Sequence, residues 1–387
     1  MHRERPDVLG ALRDARPDLL DPARFTGSDR KERDLRAITA LPRATVAAPR
    51  RGPALRWAVP VGLAAAAAVV AGVVTTGPSG DRQGPPAAAL APAGVDSVQV
   101  LLRAAETLPD LGAESTYWRL ATRQTSALPV RAGGERFVVT DESESEHSIG
   151  VRSGTESLWV WNLNVTTTPR TPADEEAYRR AGSPAELELL PEPTGGQGGL
   201  TMPVGGRTPH VDRTNVGGDV YSVGDVNSSY ADLLALPGDT DALRAELLSR
   251  FAAGGGAEVG DQTQWLFRQS ANLITMPVTP EVRSSAYRII AGLPGIRSLG
   301  RVTDPLGRAG VGVAVAPERS ATYGTVERQL VVDESTGVLL AEQEVLRAPD
   351  EGLRALGLAD GDVVTSTSTL RAGWADEQVR VPEGAVR

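Results

Sequence analysis

Few residues in this chain could carry acid–base or metal chemistry. It holds three histidines, His2, His147 and His210, a single lysine, Lys31, and no cysteine. Neither His147 nor His210 sits in a ligand-spaced pair, and both lie in loop-like surroundings, where a surface or satisfied role is expected. Without cysteine there are no disulfides, thiolate ligands or cysteine nucleophiles. Ser28-Asp29-Arg30-Lys31 matches the Ser-x-x-Lys string of penicillin-recognising enzymes, but no second lysine exists for the Lys-Thr-Gly element that must accompany it. The same shortage excludes a P-loop. Gly195-Gly196-Gln197-Gly198-Gly199 follows no buried strand and opens no helix, so it is not a phosphate cradle. Asp141-Glu142-Ser143-Glu144-Ser145-Glu146-His147 places alternate carboxylates on one strand face, as a calcium site would. It lacks the glycine and terminal glutamate of a calcium loop, and a solvated edge or hairpin tip is the favoured reading. The chain is therefore expected to be non-enzymatic, with no catalytic, cofactor or metal site.

Tryptophans are the more informative set. Trp118, Trp159, Trp161, Trp265 and Trp374 fall in the region expected to fold, whereas the whole chain has only four phenylalanines. Trp159 and Trp161 share one face of a strand, with Val160 on the other. On a half-open sheet that face would line an apolar groove, and Trp118, Trp159, Trp161 and Trp265 form the candidate ligand groove. The alternative is that they fill an alanine-rich core short of large side chains.

The elements that would position these residues begin after a long apolar run. Trp57–Thr76 reads WAVPVGLAAAAAVVAGVVTT, without a charge, behind Arg50, Arg51 and Arg56. A helix of that length spans roughly 30 Å, the thickness of the bilayer hydrocarbon. The preceding arginines predict a cytoplasmic N-terminus and an extracytoplasmic C-terminal part. A cleaved signal peptide fits less well, because its charged leader is normally short, and a soluble core helix would rarely be apolar on every side. Residues 1–56 carry 13 Arg or Lys against 8 Asp or Glu; the whole chain is at −9, which leaves the remainder at −14. A basic tail is drawn to anionic lipid, and an acidic outer domain speaks against nucleic acid.

The tail, 1–56, has too little apolar material for a core and is expected to be largely disordered or to fold on a partner. A Pro/Gly/Ala linker covers 77–94. The domain proper is predicted over 95–375, with 376–387 as a C-terminal tail. A helix over Val95–Leu108 is followed by strands near Ser115–Leu128, Glu135–Thr140, Ser148–Arg152 and Ser157–Thr168. Pro191–Asp219, with eight glycines and four prolines, reads as a long surface loop. Helices are predicted from the N-cap Asp239 onward, over Gln262–Leu273 and over Pro280–Ala291. Five strands follow: Ile296–Val302, Val311–Val315, Thr325–Val332, Val338–Leu346 and Asp362–Leu370. Asp333–Gly337 is the hairpin turn between the third and fourth. Strands, then helices, then strands imply an α+β fold, most simply a curved antiparallel, half-barrel-like sheet with helices on its concave face.

Several short motifs add a resemblance. They are Tyr117-Trp118, LPGDTDALRAEL over Leu236–Leu247, Leu293-Pro294-Gly295, Val302-Thr303-Asp304, Gly307-Arg308, Gly310-Val311, Val332-Asp333 and Thr336-Gly337. Together with the arginine-rich tail and Ala/Val span, they resemble a family of actinobacterial single-pass membrane proteins of uncharacterised function. The resemblance covers roughly Val95 to Trp374 and brings no catalytic residues. Family genes often lie near sigma-factor genes, which implies a regulator whose tail contacts a cytoplasmic protein. The zinc signature of one large anti-sigma group, His-x-x-x-Cys-x-x-Cys, cannot occur here because there is no cysteine. The expectation is a membrane-anchored envelope sensor or regulator whose outer domain binds an unidentified ligand or partner. The alternative is an anchored carrier or scaffold for lipophilic or lipoprotein material.

Overall fold

The computed structural model describes residues 96–107, 114–152, 154–190, 200–214, 220–224, 226–255, 260–320 and 322–386. The expected cytoplasmic tail, membrane span and linker lie outside them. No helix among the described residues is long and apolar enough to cross a membrane.

The architecture is α+β and mostly antiparallel sheet. A first meander is built from β1 (Tyr117–Ala132), β2 (Glu135–Gly150) and β3 (Ser157–Pro169), with β6 (His210–Thr214) on its outer edge. A second is built from β9 (Arg297–Thr303), β10 (Ala309–Ala314), β12 (Gly324–Val332), β13 (Leu339–Ala348) and β14 (Val363–Ala375). The two become one sheet because β1 pairs antiparallel with β14, Trp118 opposite Trp374 and Gln124 opposite Thr367. The short strand β4 (Glu186–Leu189) pairs with the end of β1 and with β5 (Thr201–Pro203), and β11 (Glu318–Ser320) pairs with β12. A separate ribbon joins β7 (Tyr221–Val223) and β8 (Val226–Ser228).

Helices α1 (Ser97–Thr107), α4 (Thr240–Arg250), α5 (Gln262–Thr275) and α6 (Pro280–Ala291) cover one face of this sheet. Leu101, Leu247, Phe267 and Ile290 meet Ile149, Trp159, Val313 and Leu330 in the main core. The smaller helices α2 (Pro172–Arg180), α3 (Tyr230–Leu234) and α7 (Glu351–Ala355) lie at the periphery. Helix starts are capped by side-chain oxygens, at Asp239 as predicted. Asp239, Asp261 and Thr279 each accept a hydrogen bond from an N–H of the first turn, and Pro280 sits where its missing N–H costs nothing. The turn at Asp333 is the predicted one: its carboxylate accepts from Ser335 N and Thr336 N, and Gly337 takes φ 68°.

Three expectations are corrected. The acidic run Asp141–His147 is not an edge or a hairpin tip. It lies mid-strand in a continuous β2, between β1 and β3. Its charges are tolerated there because arginines reach them: Arg123, directly opposite on β1, binds Glu144 at 2.6 Å, Arg119 binds Glu146 diagonally at 2.9 Å, and Arg207 binds Asp141 at 2.8 Å. The stretch Pro191–Asp219 is not loop throughout, since Thr201–Pro203 and His210–Thr214 are strands. Each buries a single apolar residue, Met202 or Val211, which is too little to show a period in sequence. The segment 376–386, read as a tail, runs beside β6: Val379 is buried and its N–H donates to Ser148 Oγ, while Val211 N donates to Val386 O at 2.8 Å.

Helix α6 is buried on most sides, so its polar side chains find partners inside the protein. Tyr287, fully buried, donates its hydroxyl to Gly337 O at 2.5 Å, tying α6 to the β12–β13 turn. Tyr287→Phe should leave that carbonyl without its partner and lower the unfolding free energy by about 1–2 kcal/mol. Urea unfolding at neutral pH reads this directly, and an unchanged midpoint would show that the bond contributes nothing.

Candidate functional site

A cavity of about 90 Å³ lies where α5 crosses the β1–β14 seam. Thr122 and Gln124 of β1, Ser145 and His147 of β2, Trp161 of β3, Asn272 and Thr275 of α5, Glu342 of β13, and Thr367 and Thr369 of β14 line it, with Leu120, Ala271 and Leu339. Register explains the convergence. Thr122 faces Ser145, Leu120 faces His147, Gln124 faces Thr367, and Glu342 faces Thr367 on its other side. Alternation along each strand then turns these residues to the helix side. The space suffices for several waters or a small molecule.

His147 is the unusual member. Its side chain is buried and neither ring nitrogen has a hydrogen-bond partner among the described residues. Trp161 packs against it at 4.6 Å between ring centroids, and Trp159 at 6.4 Å. Burial among these rings lowers its pKa from 6.5 to about 3, so the imidazole is neutral at pH 7, one nitrogen a donor and the other an acceptor. Thr367 Oγ1 on the same wall is also unpartnered. Such groups are costly unless whatever fills the cavity satisfies them.

Glu342 joins the cavity to a buried ion cluster. Arg328 of β12 reaches Glu342 at 3.1 Å, Glu344 at 2.5 Å and Glu318 at 3.4 Å, and Glu318 also pairs with Arg268 of α5. Thr365 donates to Glu344 at 3.0 Å. Burial raises the pKa of Glu342, and neighbouring Glu344 raises it further, against the lowering effect of Arg328.

The four tryptophans of the sequence-predicted groove are only partly brought together. Trp161 lines the cavity, with its Nε1 held by Asp212 at 2.9 Å. Trp159 lies behind it against His147, wholly buried. Trp118 is core: it donates to Thr275 O at 3.0 Å and meets Trp374 edge-on at 5.3 Å. Trp265 is core as well, edge-on to Phe251 at 5.5 Å. The cavity thus has one aromatic wall, Trp161, and mixes polar with apolar side chains. Sequence reasoning gave His147 a surface or satisfied role in a loop, whereas it is buried, unpartnered and in β2; Glu342, Thr367 and Asn272, from three further elements, it missed. The one available signal was the alternation of Glu142–His147, which puts Ser143, Ser145 and His147 on the strand face opposite the glutamates. His210, by contrast, is half-exposed and pairs with Asp212 at 3.0 Å. Among the described residues no group of histidines and carboxylates could hold a metal ion. Compared with known proteins, the chain matches no family model and no curated protein.

The low pKa of His147 has a defined consequence for stability. Above pH 6.5 both folded and unfolded states hold a neutral ring. As pH falls from 6.5 towards 3, only the unfolded chain takes up the proton, so stability is lost. Between pH 7 and pH 5 this residue should account for a loss of roughly 2 kcal/mol. Urea unfolding of wild type and His147→Gln at both pH values measures it. Equal losses in the two proteins would mean that the folded ring protonates normally.

Proposed function

We propose that this chain is a single-pass membrane protein with an N-terminal cytoplasmic tail and a span at Trp57–Thr76. Its outer domain, a curved half-barrel-like sheet with helices on the concave face, is a non-enzymatic sensor or regulator that binds a small polar ligand over the β1–β14 seam. The observation that carries this reading is His147, a buried imidazole on a cavity wall with both nitrogens unpartnered by the protein. A ring with a pKa near 3 is a weak proton acceptor at neutral pH, so it suits recognition better than general-base catalysis. The small volume of the cavity also weighs against a carrier of lipophilic material, which needs a larger groove. The arginines before the apolar run support the orientation, and the basic tail, in contact with anionic lipid, is the part that would engage a cytoplasmic protein.

Two measurements test the two halves of this reading. Because the chain has no native thiol, single cysteines at Ser28 and Thr116 can be labelled with an impermeant maleimide in intact cells. Thr116 should react and Ser28 should not; equal reaction overturns the topology. For the site, full-length protein in nanodiscs is titrated with glycerol and N-methylacetamide while tryptophan emission is followed. Saturable changes that vanish in His147→Phe are expected. No response to either probe, together with binding of a long-chain lipophilic dye, would favour the carrier instead.

A further inference from the structure

A second cavity, of about 220 Å³, lies beyond Thr275, Leu339 and Thr369, which it shares with the first. Its lining includes three arginines, Arg283, Arg308 and Arg371, and no acid. That is a strong local departure in a chain with net charge −9. The inner guanidinium, Arg283, is 5% exposed and has no ion pair among the described residues. Its Nε donates to Ile274 O at 3.0 Å and its Nη2 to Met276 O at 2.8 Å. These carbonyls at the end of α5 carry partial negative charge only. Burial lowers the pKa of Arg283 to about 10, so the group still carries its charge at neutral pH. A buried charge without a counter-charge is expensive.

The other two arginines differ in what holds them. Arg308 is fixed by Asp304 and by the carbonyls of Thr369 and Leu340, both at 2.8 Å. Arg371 is exposed at the rim and makes no ion pair among the described residues. The rest of the lining is largely aliphatic, with Ile274, Val338 and Leu339 prominent. Cationic walls concentrate anions, and a planar guanidinium matches a planar carboxylate.

We propose that this cavity binds an organic monocarboxylate with a short apolar body, its carboxylate towards the arginines and its chain against Ile274, Val338 and Leu339. The volume is below the range of drug-sized sites, which favours a small acid. The inference goes beyond the sensor reading and does not need it, because different residues carry it.

Full-length protein in nanodiscs titrated calorimetrically with sodium hexanoate tests the proposal. Hexanoate should bind saturably, and acetate, 1-hexanol and inorganic phosphate each at least about tenfold more weakly. Arg371→Glu should weaken hexanoate binding about tenfold or more while leaving the melting temperature unchanged, since the side chain is exposed and unpaired. Arg283→Lys tests the inner guanidinium; should that variant melt early, Arg371→Glu remains decisive. A chain-length series distinguishes the source. An optimum near hexanoate indicates a soluble short-chain acid, and affinity rising through laurate indicates a membrane fatty acid. Absence of saturable hexanoate binding, equal binding of phosphate, or an Arg371→Glu variant that binds like wild type would overturn the proposal.

Discussion

The fold depends on how a helix buried on most sides disposes of its polar side chains. Helix α6 carries Arg283, Ser284, Ser285 and Tyr287 into the interior, together with Val282, Ala286, Ile289 and Ile290. None of these polar groups could be left bare at tolerable cost. Arg283 takes the carbonyls of Ile274 and Met276, Ser285 donates to Gly238 O at 2.7 Å, and Tyr287 reaches the β12–β13 turn. In this way α6 fixes the end of α5, the loop before α4 and one hairpin of the sheet. The partnership with α5 is electrostatically favourable, because a cation meets the negative end of a helix dipole.

That clamp positions both cavities. Thr275, the last residue of α5, lines each of them, and Trp118 anchors it from the sheet by donating to its carbonyl. Beneath α5 the sheet is a seam between two meanders, closed by β1 against β14. The helix-facing residues around the seam include three threonines, a serine, a glutamine, a histidine and a glutamate, where β10 and β12 further out present mainly aliphatics. Polar residues at the centre of a helix–sheet interface reduce the apolar area available for stability, and binding sites are where proteins accept that cost. The Arg328 cluster shows the same tendency, with three carboxylates gathered around one guanidinium beneath the helix layer.

The opposite face of the same strands is polar in another manner. Arg119 and Arg123 pair with Glu146 and Glu144, and Gln343 bonds Gln329 at 2.9 Å, which in turn bonds Glu327 at 2.8 Å. Here partners are complementary across adjacent strands, and every named group is satisfied. The contrast is chemical: on one face these charged and amide groups are matched to each other, and on the helix face His147 and Thr367 are left for something else to match.

Much of the local structure was legible from residue order. Asp239, Asp261, Thr279-Pro280 and Asp333–Gly337 mark their caps and turn because a side-chain oxygen, a missing N–H or an achiral backbone acts within a few residues. The α+β class follows from the order of those elements, and the lack of cysteine and of a second lysine excludes whole chemistries. The candidate site was not legible, apart from Trp161. His147 and Glu342 are nearly two hundred positions apart and become neighbours through the pairing of β1 with β14. Nothing local to either strand specifies that pairing, which depends on burial of the whole helix-facing surface. The same holds for Arg283: its type and helical position are plain in sequence, but its burial without a carboxylate arises from how α5 and α6 pack. Short-range forces write the elements into the chain; long-range packing decides which of their side chains share a cavity.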